Sequence, residues 1–290
     1  MIHPLAYVDK TAELGRSVRI GPHCYVGPRV VLGDDCELRN NVTITGGAVC
    51  GKQNVFFAGT VIGEDPQDLK YRGEETRLIV GDDNVFRECV TANRGTEVAG
   101  GVTRIGSHNR FMAYVHIAHD VIVGDYCILS NAVQLAGHVE LEDQVTMGGL
   151  VGVHHFTTIG RLSYIAGMAR IPNDVPPFMI WGGDPGAIRG YNLTGLRRWG
   201  MDEERIRSIR DAYRILFGKR AEEYGATIQE RLARLESSGP LTEEVEYLCR
   251  SVRESMDQGV YGRKRERYRR DTDADRARYY RKNKETESCS

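Results

Sequence analysis

This chain of 290 residues has no stretch that approaches the roughly 20 apolar residues needed to span a membrane. Its opening, Met1-Ile2-His3-Pro4, has no basic region followed by an apolar run, so it is not a secretory signal. The expectation is a cytoplasmic protein without integral membrane contact. Net charge is also nearly absent, at −1, so bulk electrostatics select no polyanionic partner and no nucleic acid is expected. The seven cysteines form no C-x-x-C pair and no regular spacing, which argues against a disulfide scaffold. No Ser or Cys stands with a histidine in a nucleophile motif. A phosphate-loop look-alike, Gly46 through Lys52, is followed by Gln53 where a metal-binding hydroxyl should stand, and no helical pattern follows.

What the chain does have is a period of six. From Ile105 the sixth residues are Phe111, Ile117, Val123, Leu129, Leu135, Leu141, Met147, Val153, Ile159, Ile165 and Ile171. This fits neither a helix nor a simple strand, but it fits a parallel β-helix of hexapeptide repeats. Two residues before these positions the side chains are small or β-branched, as at Val115, Val121, Cys127, Val133, Val139, Val145, Val151 and Thr157. A tight prism interior has room for only one large side chain per short strand. Gly106, Gly124 and Gly160 follow inward residues, where a missing Cβ is read as easing a corner.

The same register runs from Ile2 to Ile62. Its next steps are Asp68 and Glu74, carboxylates that cannot point unpaired into an apolar prism, so an external loop is predicted near 64–79. The register returns at Val80 and Phe86, weakens at Ala92, reappears at Val98 and slips by one before Ile105, which predicts a second loop near 94–103. Asp174-Val175-Pro176-Pro177 ends the prism, because adjacent prolines remove ladder donors. The expected organisation is a β-helix over 1–185 and a helical domain over 186–257. Residues 258–290 would be a charged, disordered tail that catalysis does not need.

Five histidines, His116, His119, His138, His154 and His155, fall within forty residues of the ladder. With three hexapeptides per coil, residues 18 apart share a column, about 4.8 Å apart. Asp120 then lies in one column with His138, and His119 in another with Gly137 and His155. A carboxylate beside a neutral imidazole suits proton abstraction from a hydroxyl. A zinc site would need three ligands aimed at one point, which this spacing does not require, so no metal is expected. A zinc hydratase on the same prism, and a non-catalytic scaffold with a nucleic-acid-binding tail, are the alternatives from other classes.

Several segments carry a family resemblance: Gln67 through Glu74, Asn93-Arg94-Gly95-Thr96, His116-Ile117-Ala118-His119-Asp120, Leu135-Ala136-Gly137-His138-Val139, Val153-His154 and Asp174 through Pro177. Together they resemble the acyl-[acyl-carrier-protein]–UDP-N-acetylglucosamine O-acyltransferases. The resemblance covers about residues 1–257. It implies a mainly β, left-handed parallel β-helix with a small α-helical C-terminal domain, assembled as a homotrimer. It also implies transfer of an (R)-3-hydroxyacyl chain to the 3-OH of UDP-N-acetylglucosamine, the first step of lipid A biosynthesis. No cofactor is implied beyond the phosphopantetheine of acyl carrier protein; N-acylation of a 3-amino UDP-sugar, or a related lipid A N-acyltransferase, is the nearest alternative. By the same resemblance His119 is the general base, Asp120 its orienting partner and Gly137 the oxyanion donor. Asp68, Lys70, His116, His138, His154, His155, Asn192 and Arg198 are substrate contacts, and Gly167, Met168 and Pro185 are candidates for an acyl-chain ruler. His155, Thr194 and Trp199 depart from the family pattern at its nucleotide end.

Overall fold

The structure, a computed structural model, describes residues 1–218, 226–257 and 262–269. Short strands, most of two residues, run from Tyr7–Val8 to Arg170–Ile171. Among the described residues they form three sheets, of nine, eight and, with the later Met179–Gly182 and Ala187–Tyr191, ten strands, and up to Arg170–Ile171 strands three places apart pair in parallel. Tyr7 thus lies on Tyr25, and His116 on Gln134. Every member of the ladder from Ile105 to Ile171 is at most 4 % exposed, and the small positions two residues earlier are fully buried. At the opposite end Ile2 is 48 % exposed and Val8 and Leu14 are half-buried.

The corners differ from the sequence reading. The left-handed backbone falls three residues after most inward positions, on side-chain-bearing residues such as Asp120, His138 and Phe156 with φ of 60°, 64° and 64°. Such a conformation strains a residue with a Cβ and persists only where surrounding structure fixes it. Gly106, Gly124 and Gly160 do not adopt positive φ. A Cβ on Gly124 would instead come within 2.4 Å of Asp143 Oδ1 and 2.9 Å of its amide nitrogen. These glycines are required by the close approach of the next coil.

The chain leaves the prism between Val61–Glu64 and Arg77–Val80, and again between Thr91–Asn93 and Val102–Ile105. The stacked rings Phe56, Phe86 and Phe111, with centroids 4.9 Å apart at each step, keep the core column continuous across both departures. Ala92 is buried in register, whereas Val98 lies in a 3-10 turn over Glu97–Ala99, 43 % exposed, outside the ladder where the period had placed it.

After the antiparallel pair Met179–Gly182 and Ala187–Tyr191 come, among the described residues, four helices: α1 Leu193–Arg198, α2 Glu203–Phe217, α3 Ile228–Glu236 and α4 Glu243–Asp257. Asp202 caps α2 by accepting from Arg205 N, and Thr227 with Glu230 forms a capping box on α3. Ile206, Ile209 and Leu216 of α2 belong to one core with Leu232 and Leu235 of α3 and Leu248 and Val252 of α4.

Residues 262–269 correct part of the expected disordered tail. They carry a 3-10 turn, Lys264–Tyr268, packed back on the prism. Asp174 N donates to Gly262 O at 2.8 Å, and Asp174 Oδ2 accepts from Lys264 N at 2.8 Å. The segment needs no core of its own, because partners already fixed in the prism supply its contacts. The rest of that expected tail lies outside the described residues.

Candidate active site

The 18-residue coil stacks Asp120, His138 and Phe156 along one corner. His138 Nδ1 lies 3.8 Å from Asp120 Oδ2, and the rings of His138 and Phe156 stack at 4.2 Å and 5°. One residue earlier, Gly137 sits beside His119 so closely that a Cβ would come within 2.6 Å of its Cε1.

His119 Nδ1 lies 2.8 Å from Asp120 Oδ2. The second loop completes this pair: Thr96 N and Oγ1 donate to the same carboxylate at 2.8 and 2.6 Å, and Asp120 N donates to Thr103 Oγ1 at 2.7 Å. Burial works against an ionised Asp120, but the hydrogen bonds of His119 and Thr96 outweigh it and hold the carboxyl below the usual carboxylate range. A carboxylate only accepts, so neutral His119 carries its proton on Nδ1 and presents a lone pair on Nε2. The first loop reaches that atom with Asp68 Oδ2 at 3.9 Å, too far for a direct hydrogen bond. Lys70 Nζ lies 3.1 Å from the same Asp68 oxygen.

Burial pushes His138 down to about 4 despite the pull of Asp120, and burial with the adjacent His154 pushes His155 down to about 4. Both are neutral hydrogen-bonding groups near pH 7. Burial lowers His116 as well, and its Nδ1 is 2.7 Å from Thr91 Oγ1.

Eight of the expected site residues line two adjoining clefts that share Ala136. Asp68, Lys70, His119, Gly137, His138 and His155 line one of about 260 Å³. His116 and His154 line a shallower groove of about 400 Å³. Among the described residues no group accepts a hydrogen bond from Gly137 N.

Asn192 and Arg198 line neither cleft. Asn192 is committed to the fold: its Oδ1 accepts from Gly195 N at 3.0 Å to cap α1, and its Nδ2 donates to Leu162 O at 2.8 Å. Arg198 is exposed on α1. Gly167, Met168 and Pro185 also lie outside both clefts. Thr96 and Phe156 are site residues to which no role had been given. Phe156 follows His138 by one coil length and was open to the column rule. Arg269, which also lines the first cleft, carried no sequence signal.

His119, Asp120 and His138 bring potential metal-ligand atoms within 4.8 Å of one another. However, Asp120 Oδ2 already receives the His119 proton and the Thr96 hydroxyl, and Oδ1 receives Thr96 N. A divalent ion would have to break these bonds to gain two imidazoles, so the donor set fits a hydrogen-bonded base better than a metal.

Known proteins resemble this chain in sequence and in fold. Residues 174–261 match the model of Udp N-acetylglucosamine O-acyltransferase, Domain 2. Residues 11–46 and 102–137 match the bacterial transferase hexapeptide (six repeats). The acyl-[acyl-carrier-protein]–UDP-N-acetylglucosamine O-acyltransferase of Rhizobium johnstonii is 43% identical over 216 residues, 74% of this chain and 79% of that protein. Its namesake in Stenotrophomonas maltophilia is 44% identical over 218 residues, covering 74% and 82%. The solved UDP-N-acetylglucosamine acyltransferase of Bacteroides fragilis superposes with a TM-score of 0.83 at 39% identity, over 87% of this chain and 97% of the other. These relatives make the prism a left-handed parallel β-helix, a hand that the period of six did not supply. With identity of this extent over most of both chains, the protein belongs to the acyl-[acyl-carrier-protein]–UDP-N-acetylglucosamine O-acyltransferase family.

Proposed function

We propose that this protein transfers an (R)-3-hydroxyacyl chain from acyl carrier protein to the 3-OH of UDP-N-acetylglucosamine, the first step of lipid A biosynthesis. The observation that carries the mechanism is the 2.8 Å contact between His119 Nδ1 and buried Asp120, which leaves Nε2 facing the cleft as a base. Nε2 takes the proton of the sugar hydroxyl as its oxygen attacks the thioester carbonyl. The tetrahedral oxyanion is stabilised by the N–H of Gly137. Collapse breaks the carbon–sulfur bond, and the departing phosphopantetheine thiolate takes up from the His119 imidazolium the proton that came from the sugar hydroxyl. Asp120 stabilises that imidazolium and fixes the ring. Asp68, Lys70 and neutral His138 and His155 orient the sugar, and His116 and His154 contact substrate from the adjoining groove. The step balances without a metal or redox partner.

The purified protein, given a series of acyl-acyl carrier proteins and UDP-N-acetylglucosamine, is expected to form the O-acylated sugar nucleotide. Dialysis against EDTA is expected to leave the rate within about twofold. Loss of turnover on chelation, restored by zinc, would move the assignment to the metal reading. Acylation of only the 3-amino analogue would move it to an N-acyltransferase.

Among the described residues no helix is long and apolar enough to cross a membrane. The water-soluble substrates support reading the reaction as cytoplasmic. The assembly is read as a homotrimer, on the strength of another corner of the prism. Tyr114, Leu150 and Met168 share a column there and are 63 %, 63 % and 80 % exposed. An apolar column of this kind usually has a partner, and a closed ring of three copies would cover it. Met168 is then the ruler candidate with enough side chain to reach across an interface. Light scattering is expected to give three times the monomer mass at micromolar protein, and a stable monomer would remove this reading.

A further inference from the structure

We propose that residues 262–269 are a working wall of the active-site cleft, and that Arg269 binds a phosphate ester of one of the two substrates there. This rests on the acyltransfer reading above. The segment lies beyond the stretch that the family model matches, which ends at 261.

Its placement is set by directional contacts. Besides the two bonds to Asp174, Arg263 is 8 % exposed and donates from Nη1 to Pro172 O at 3.0 Å. Arg265 donates from Nε to the backbone carbonyl of His138 at 3.0 Å and from Nη1 to Glu140 at 2.7 Å. The segment is therefore clamped to the corner that carries His138. Its last described residue, Arg269, places its guanidinium 4.7 Å from the centre of the Phe156 ring, which itself stacks on His138. Arg269 also pairs with Glu266 at 2.7 Å, and its side chain is 26 % exposed. A guanidinium stacked on an aromatic face and held by an ion pair is already oriented, so it loses little freedom on binding.

The charges in the cleft point to the ligand. Of its lining groups Asp68 and Lys70 pair with each other, His138 and His155 are neutral near pH 7, and Arg269 adds a guanidinium whose Nε is the nitrogen paired with Glu266. Neither a sugar hydroxyl nor a thioester calls for a guanidinium, whereas a phosphate oxygen pair matches its fork. Both substrates carry phosphate: a diphosphate in UDP-N-acetylglucosamine, and a phosphodiester in the phosphopantetheine arm.

Steady-state kinetics on full-length wild type, Arg269→Ala and Arg269→Lys test the proposal, with UDP binding followed by calorimetry. A variant that stops after Asp257 and so lacks the whole segment is the second arm. Arg269→Ala is expected to raise one KM about tenfold or more, with kcat within about threefold and unchanged melting temperature, and Arg269→Lys to recover part of the loss. If the diphosphate is the ligand, the KM for UDP-N-acetylglucosamine and the Kd for UDP rise together. If the phosphodiester is, only the KM for acyl-acyl carrier protein rises. The truncated variant should show the same KM change. The proposal is overturned if both KM values stay within twofold, if a KM falls, or if kcat alone falls. Wild type that neither turns over nor binds UDP would sink the acyltransfer reading, and this inference with it.

Discussion

His119→Ala is expected to lower kcat by about 10²–10⁴, the usual worth of a positioned general base, while the assembly and UDP-sugar binding survive. A sugar hydroxyl is a poor nucleophile near neutral pH, so its proton must leave as the carbon–oxygen bond forms. Imidazole, the side chain that ordinarily changes charge near neutral pH, is suited to receive it. The structure supplies what such a base requires. Nδ1 is tied to a carboxylate that is itself locked by Thr96, and no protein group within hydrogen-bonding reach competes for Nε2 among the described residues. His119 is not an inward residue of the ladder, so its removal opens no cavity in the prism core. The deficit should therefore fall on kcat and leave thermal unfolding almost unmoved. A variant that kept more than about a tenth of wild-type turnover would lose less than any general base should. In that case the proton would have to leave by another route.

The periodicity made this corner legible before any coordinates. A period of six with 18 residues per coil is enough to stack His138 on Asp120 and Gly137 on His119, because a β-helix repeats its geometry. What interrupts the repeat was not legible. Thr96, which holds the Asp120 carboxylate, comes from an excursion whose path no period describes, and Val98 was misread for the same reason. The corner glycines were misread differently: the sequence shows where a Cβ is missing, but not whether φ or a neighbouring coil requires it. Asn192 entered as a ligand contact by resemblance alone, and its side chain is spent on capping α1. The segment 262–269 has too few aliphatics to order itself. It orders by borrowing Asp174, the His138 carbonyl, Glu140 and Phe156, all far away in sequence.

Gly137→Ala is expected to cost about 10² or more in kcat, though it adds one methyl group and changes no charge. The backbone tolerates the change, because Gly137 is not at positive φ. The obstacle is the ring of His119: the new Cβ would stand 2.6 Å from Cε1 and 2.7 Å from Nε2. That ring cannot simply step aside, since Nδ1 is held by Asp120 at 2.8 Å and Asp120 is held by Thr96. Either the His119–Asp120 bond opens, or the corner widens and carries Gly137 N away from the reacting carbonyl. Misplacement of about 1 Å costs on the order of 10² where reacting groups must be aligned. The methyl would also occupy space beside Nε2 that the sugar hydroxyl needs. The coil itself should hold, because Leu135 and Val139 keep their buried positions on either side. The double variant separates this account from general damage. If Gly137→Ala acts through the His119 ring, adding it to His119→Ala should cost little more than His119→Ala alone, as for groups that work as a unit. Additive losses, or a single variant above a tenth of wild-type turnover, would show that the contact between Gly137 and the base does not limit the chemistry.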